Sequence, residues 1–345
     1  NELTGSVGDG PIVSASLRVR RNDGVELSQT DSGSNATFNV TVRTKGKYYP
    51  LSIESTSGTD LVTNIAPDFK LLSAVLEPGK KSIANVNPFS TFAVELSGHL
   101  PGGANKSNLI TALEIVSAEF NNGLTSLAAS GFINTKIDRT NIAEIVRASE
   151  ALGETVRRTR DALGASGFPA SGDSVVRALS ADLTDSVVDG RGGSGSEARV
   201  AAIWNIVTAQ ISLETMANEL HVNGADATQL MSEAMSAVST GSANPSLAGL
   251  TVTAAMIERA RIGLVAAHAI TSDPGIEDLL DSTDSIAAGA SSSVVRGFAL
   301  PGDYRSRLDN AILLVAGGGE ATLESVNDVS RNRTQTIVTE PEPEP

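Results

Sequence analysis

The spacing of apolar residues changes once along this chain, near residue 105, and that change constrains the fold more than any single motif. Upstream, apolar residues recur at every second position between turn signals, as on a half-buried strand. Val13, Ala15, Leu17 and Val19 share one face while Ser14, Ser16, Arg18 and Arg20 share the other, which predicts a first long strand over 12–20. Asn22-Asp23-Gly24 is a hairpin-type turn because these residues tolerate positive φ, and 25–30 is the return strand. Phe38, Val40 and Val42 alternate with Asn39, Thr41 and Arg43, and another strand is expected over 49–55, where Pro50 suits an edge position. Several short strands at this spacing indicate an antiparallel β-sandwich.

Downstream the period is helical. Leu109, Leu113, Val116, Phe120, Leu124 and Leu127 recur at intervals of three and four. A second helix opens at Asn141, a capping residue with Glu144 placed to reach back to it. Its apolar stripe is Ile142, Ile145, Val146, Leu152, Val156 and Leu163. Arg147, Glu150, Glu154, Arg157, Arg158 and Asp161 are expected to form a solvated face. Gly190 to Ser196 (GRGGSGS) reads as a flexible loop, with Ser194 and Glu197 placed to cap the helix that follows. That helix carries Val200, Ile203, Trp204, Val207, Ile211, Met216 and Leu220, and Trp204 within the stripe reads as core. Later helices are predicted over 226–239, 251–270, 275–289, 303–316 and 320–330, the third with Asp273 as cap and Pro274 at its first position.

The last segment differs again. Thr334-Gln335-Thr336-Ile337-Val338-Thr339 is strand-prone, and the Glu-Pro repeat after it suits extended polyproline II. The predicted class is therefore α+β in two parts: a sandwich over 1–104, a larger all-helical region over 105–331, then a short strand and tail over 332–345.

With zero cysteines the chain has no disulfide, thiolate nucleophile or thiolate-held metal, which fits a bacterial envelope or secreted protein. A formal charge of −14 repels phosphate backbones and argues against nucleic-acid partners. Aromatics are only 3% of residues, fewer than sugar-stacking or base-stacking surfaces normally use. Asn1 in place of Met suggests a processed chain, with any signal peptide or lipid-anchor motif lying upstream. No run approaches the roughly 20 apolar residues of a membrane span.

The run LTGSVGDGPIVSASLRVRRNDGVELSQTDSGSNATFNVTV resembles the carboxypeptidase-regulatory-like, transthyretin-like β-sandwich module. The matching features are the Gly-x-Val start, Asp9-Gly10-Pro11-Ile12, the small Ala15, and Asp31-x-Gly33 ahead of Phe38. Asn85-Val86-Asn87-Pro88-Phe89-Ser90-Thr91-Phe92-Ala93 is similar to the segment that follows this module in many bacterial surface lipoproteins, with Phe89 and Phe92 where that pattern has Leu. The resemblance covers roughly 3–98. It implies a non-catalytic, secreted, structural or adhesive module and carries over no catalytic residue.

Motifs for chemistry are sparse. His99, His221 and His268 stand far apart, outside metal-ligand spacing. There is no GxSxG nucleophile elbow and no Walker-type phosphate-binding loop, and Gly317-Gly318-Gly319 reads as a helix stop. Asp182, Asp185 and Asp189, and separately Asp278, Asp281 and Asp284, could offer oxygen ligands to Ca²⁺, but neither set has the EF-hand pattern. The Asn-x-Ser/Thr sites at Asn35, Asn39, Asn105 and Asn332 carry no weight in a bacterial setting.

The expectation is a non-catalytic, exported surface protein with no cofactor, structural or adhesive in role. Its partners would be further copies of itself, as an oligomer or filament, or other surface proteins. Thr334, Thr336, Ile337 and Val338 are the candidate donor strand for a sandwich edge. The alternative is a periplasmic or surface-anchored protein holding a small ligand or glycan among its helices.

Overall fold

The computed structural model describes residues 1–120, 122–124, 131–238, 247, 252–289 and 299–337. The sandwich expectation holds. Its strands are β1 (Glu2–Ser6), β2 (Ile12–Val13), β3 (Ser16–Arg20), β4 (Glu26–Asp31), β5 (Thr37–Thr41), β6 (Leu51–Thr56), β7 (Thr59–Asp60), β8 (Leu71–Val75) and β9 (Lys81–Ile83). One sheet has the order β4-β3-β6-β8 and is antiparallel throughout; the other has the order β5-β1-β9. β1 runs antiparallel to β5 and parallel to β9. Alternation places Phe38, Val40, Leu17, Val19, Leu51 and Ile53 inward, the period-two logic read from the sequence.

The predicted first long strand is two. Ser14 sits at φ 56, and around it Ser32 Oγ accepts from Ala15 N (2.9 Å) and donates to Ile12 O (2.8 Å). The break re-phases the side chains, so Ile12 rather than Val13 is fully buried. Pro50 lies just before β6, outside its ladder, and β6 is an interior strand rather than an edge.

The helices are α1 (Pro88–His99), α2 (Lys106–Glu119), α3 (Gly131–Asn134), α4 (Ile142–Ala165), α5 (Gly172–Asp182), α6 (Ala198–Ala217), α7 (Ala227–Val238), α8 (Ala254–Thr271), α9 (Pro274–Gly289), α10 (Tyr304–Gly317) and α11 (Glu320–Ile337). A short hairpin, β10 (His221–Val222) and β11 (Ala225–Asp226), separates α6 from α7. α6 is buried on nearly every side and is the axis on which α4, α8, α10 and α11 pack. Trp204 of α6 is core, as expected, 5.1 Å from Phe120 and 5.9 Å from Phe92 between ring centroids.

The two halves share one continuous hydrophobic core, from Leu3 in the sandwich to Val326 in α11. The seam runs through the Asn85–Ala93 segment. Asn87 caps α1 by accepting from Ser90 N (2.8 Å), while its Nδ2 donates to Phe132 O (2.7 Å). Asn85 accepts from Ser6 N (3.1 Å) and donates to Thr135 O (2.7 Å), so both Asn side chains tie β1 and α1 to α3 and the chain just after it.

Three further expectations are corrected. Residues 334–337, predicted as a strand, continue α11; Val338, Thr339 and the Glu-Pro tail lie outside the described residues. Extending an existing helix costs no new nucleation, and α11 is fixed just upstream by Arg331 to Asp189 (2.8 Å) and Arg333 to Glu119 (2.7 Å). That tertiary anchoring overrides the local strand preference of Thr and Ile. Asn141 does not cap α4; its Oδ1 accepts instead from Asp138 N (2.9 Å).

The glycine run is the third. It is wrapped round Asp182, whose carboxylate accepts from the amides of Asp189 (2.9 Å), Gly190 (2.8 Å) and Gly192 (3.0 Å). Glu197 at the start of α6 makes no side-chain cap.

Candidate functional site

Helix α4 carries the largest departure from expectation. Most of its presumed solvated face is interior: Arg147 and Arg157 are 5% exposed, Glu154 3% and Glu150 1%, Arg158 is half-buried, and only Asp161 is exposed. The helix packs on α6 and meets the turns of the sandwich through Asp9, Gly10 and Asp68, so a second side of it meets protein instead of water. Arg157 and Glu154 survive burial by pairing, whereas Arg147 keeps its Nε and Nη2 unpartnered and burial pulls it down to about 10, against the opposing charge of Glu144. Arg157 bridges Glu154 and Asp68, and Arg160 joins Asp68 as well. Burial alone would raise the Asp68 carboxyl, but Arg160 and Arg157 outweigh it and hold it below its ordinary value. Arg158 reaches Glu154 (2.9 Å) and makes two bonds to the fully buried Glu214 (3.0 and 2.9 Å).

Two carboxyls on the same seam are not paired in this way. Asp9, in the turn after β1, and Glu150, on α4, face each other across the sandwich–helix boundary. Two glycines make room for them. A Cβ on Gly10 would collide with Glu150 Oε1, Asp60 Oδ1 and Val62, and a Cβ on Gly153 would fall on the Asp9 carboxyl. Asp60 is satisfied by its own turn, accepting from Val62 N (2.9 Å) and Thr63 Oγ1 (2.6 Å). Asp9 Oδ1 and Glu150 Oε1 have no hydrogen-bond partner. Burial first, and the negative charge of Asp60 second, push both acids well above the usual carboxylate range; Arg157 opposes this only in part.

Asp9 also lines a pocket of about 280 Å³ between the sandwich turns and α4. Its walls are chiefly apolar: Val7 and Pro11 from the sandwich, Ile142, Ile145 and Val146 from α4, and Val238 from the end of α7. Ser149, one turn further along α4, lines it too, and its buried Oγ has no partner. An apolar pocket with a few convergent, unsatisfied polar atoms is the usual form of a small-molecule site. A shallower groove on the β1–β5 face, lined by Thr4, Phe38 and Asn39, lacks such buried orphan atoms.

The residues singled out from sequence lie elsewhere. Thr334, Thr336 and Ile337 are in the last turns of α11. Asp182 is engaged by three amides, Asp189 by Arg331, and Asp185 by Val187 N (3.1 Å); burial pushes Asp182 up to about 6 despite its amides. Asp278 and Asp281 are exposed, and Asp284 pairs with Arg261 (2.9 Å). Among the described residues no group of three or more acidic, His or Cys side chains is arranged to hold a metal ion. His221 Nδ1 lies 2.9 Å from Arg305 and His268 Nδ1 lies 3.3 Å from Asp273 O, both remote from the pocket in sequence and element.

Asp9, Ser149 and Glu150 were missed as site residues. One signal was present: Gly153 in the middle of a 24-residue helix, where glycine costs about 1 kcal/mol against alanine and so marks a close approach. Compared with protein-family models, curated proteins and solved structures, the chain finds no match.

Proposed function

We propose that this chain is a non-catalytic, exported binding protein that holds a small ligand in the pocket between its sandwich and α4. The observation that carries the reading is a mainly apolar pocket of about 280 Å³ whose lining residues include two buried polar ones, Asp9 and Ser149. The exported, surface setting is supported by the zero cysteines and by the resemblance of 3–98 to a secreted sandwich module. Among the described residues no helix is long and apolar enough to cross a membrane.

The strand-donating filament subunit is the weaker reading, because 334–337 are helical and have no extended edge to offer. A thermal-shift screen of small amphiphiles and sugars tests the binding reading, run on the wild type and on Ile145→Trp, which fills the pocket from its half-buried side. Ligands are expected to raise the wild-type Tm and to lose their effect in the variant. Stabilisation that ignores the Trp would place binding outside this pocket and contradict the proposal.

A further inference from the structure

We infer that the end of the sandwich opposite the Asn85–Ala93 seam docks on an anionic lipid bilayer, through exposed cations gathered around Tyr48 and Val25. This surface is separate from the pocket and does not depend on it.

The strand register brings three loops together at that end. Glu2 pairs with Thr41 and Lys81, Arg20 with Glu26 and Ser52, and Leu51 with Val75, whereas Ser6 pairs with Thr37 at the seam end. The loops that follow β3, β5 and β8 therefore emerge side by side. They are also fastened to one another. Asn22 Nδ2 donates to Lys47 O (3.3 Å) and Tyr49 O (3.1 Å), and a Cβ on Gly46 would lie 3.5 Å from Pro78. The Arg21 guanidinium lies 3.4 Å, and the Lys47 ammonium 4.9 Å, from the centroid of the Tyr48 ring.

The charge of this end is opposite to that of the whole chain, which is −14. Arg43, Lys45, Lys47 and Lys80 are exposed, and none of them has an ion pair among the described residues. The acids here are matched by other cations: Asp23 by Arg21, Glu2 by Lys81 (3.8 Å) and Glu77 by Lys106 (2.6 Å). Glu26 and Glu54 share Arg20, and Arg18 stands opposite Glu54 in the ladder as a second cation for that pair. Even with Glu95, near the end of α1, counted against them, the unpaired cations leave this end positive. The Debye length at physiological salt is about 8 Å, so acids farther off in the helical region do little to cancel that excess.

Charge alone suits any polyanion, and the residues among the cations favour a bilayer. Val25 is 49% exposed in the turn between β3 and β4, and Tyr48 and Tyr49 are half-buried beside it. Amphipathic rings lie at the headgroup level of a membrane, an apolar tip enters just below it, and lysines remain among the phosphates. Each Lys or Arg at an anionic surface strengthens binding roughly fivefold. A soluble polyanion would leave Val25 without a role.

Co-sedimentation of the full chain with vesicles tests the proposal, using phosphatidylcholine alone and an equal mixture of phosphatidylcholine and phosphatidylglycerol. Binding is expected to the mixture only, and to be lost at 1 M salt, where the Debye length is about 3 Å. Lys45→Gln combined with Lys80→Gln should weaken it at least tenfold. Lys70→Gln combined with Arg177→Gln removes the same charge from exposed positions elsewhere and should leave the affinity within about twofold. Val25→Ser should weaken binding about threefold. Absent binding, equal binding to both vesicles, or equal losses in the two double variants overturns the proposal. An unchanged affinity in Val25→Ser overturns bilayer docking, and displacement by polyglutamate would then assign the surface to a soluble polyanion.

Discussion

Two buried acids in this protein, Glu214 and Glu150, are equally hidden from water and differently treated. Glu214, on α6, accepts from Arg158 (3.0 and 2.9 Å), from Arg305 (3.1 Å) and from His221 N (3.1 Å), so both oxygens are engaged. Glu119 on α2 is handled alike, clamped by Arg259 and Arg333 at 2.7 Å each. Burial works to raise Glu119, but the two guanidinium groups outweigh it and hold the acid below its ordinary value. Glu150 and its neighbour Asp9 have no such clamp and are pushed the other way. Burial alone therefore does not mark a site. What separates a structural acid from a functional candidate is whether its hydrogen bonds are complete.

The comparison breaks most visibly at the paired end. Glu214→Ala leaves Arg158 and Arg305 short of a buried counter-charge and should cost about 3–5 kcal/mol, read as a fall in the urea midpoint with an unchanged slope. A loss below about 1 kcal/mol would mean that the network is solvated, contrary to its burial. The next effect is steric. Gly153→Ala should cost about 1–3 kcal/mol, because its methyl lands on the Asp9 carboxyl. Gly164→Ala, on the same helix with open space around it, should instead gain about 0.5–1 kcal/mol from helix propensity. Equal gains from both alanines would show that Asp9 does not sit against Gly153.

A smaller effect separates the two kinds of acid by pH. Glu119, held below its ordinary value, contributes stability that is present above the ordinary glutamate pKa and is lost as pH falls through the lowered one. Glu119→Gln should therefore be destabilising at pH 7, and the deficit should shrink on acidification in urea-unfolding series. A deficit that stays constant with pH would remove the charge contribution of the clamp.

Much of this architecture was legible from spacing. The alternation of Phe38, Val40 and Val42 and the inward faces of β3 and β6 are what period two requires. The helices that became α7 to α10 fall within a few residues of their predicted spans, and the Asp273-Pro274 cap is present, with Asp273 Oδ1 accepting from Gly275 N (2.9 Å). The site was not legible, for a definite reason. A helix pattern shows which side is apolar, but it does not show whether the charged side meets water or a second layer of protein. In α4 it meets the sandwich, through residues such as Asp68, 89 positions from Arg157 in the chain. The clamp on Glu119 is longer in reach still, since Arg333 is 214 residues away. Contacts of that separation leave no local periodicity. The last turns of α11 show the same limit, with Arg331 and Arg333 fixing a helix where Thr336 and Ile337 locally favour a strand.

The central claim is that Asp9 is buried without a counter-charge beside a pocket, and its pH dependence tests that most directly. An acid raised in the folded state keeps a proton that the unfolded chain has already released. It therefore lowers stability as pH rises from the ordinary aspartate value toward the raised one. Urea unfolding of the wild type and of Asp9→Asn between pH 4 and 8 should show the variant gaining on the wild type as pH increases. A variant that instead loses ground as pH rises would mean that Asp9 is an ionised, paired carboxylate like Glu214, and would contradict the account.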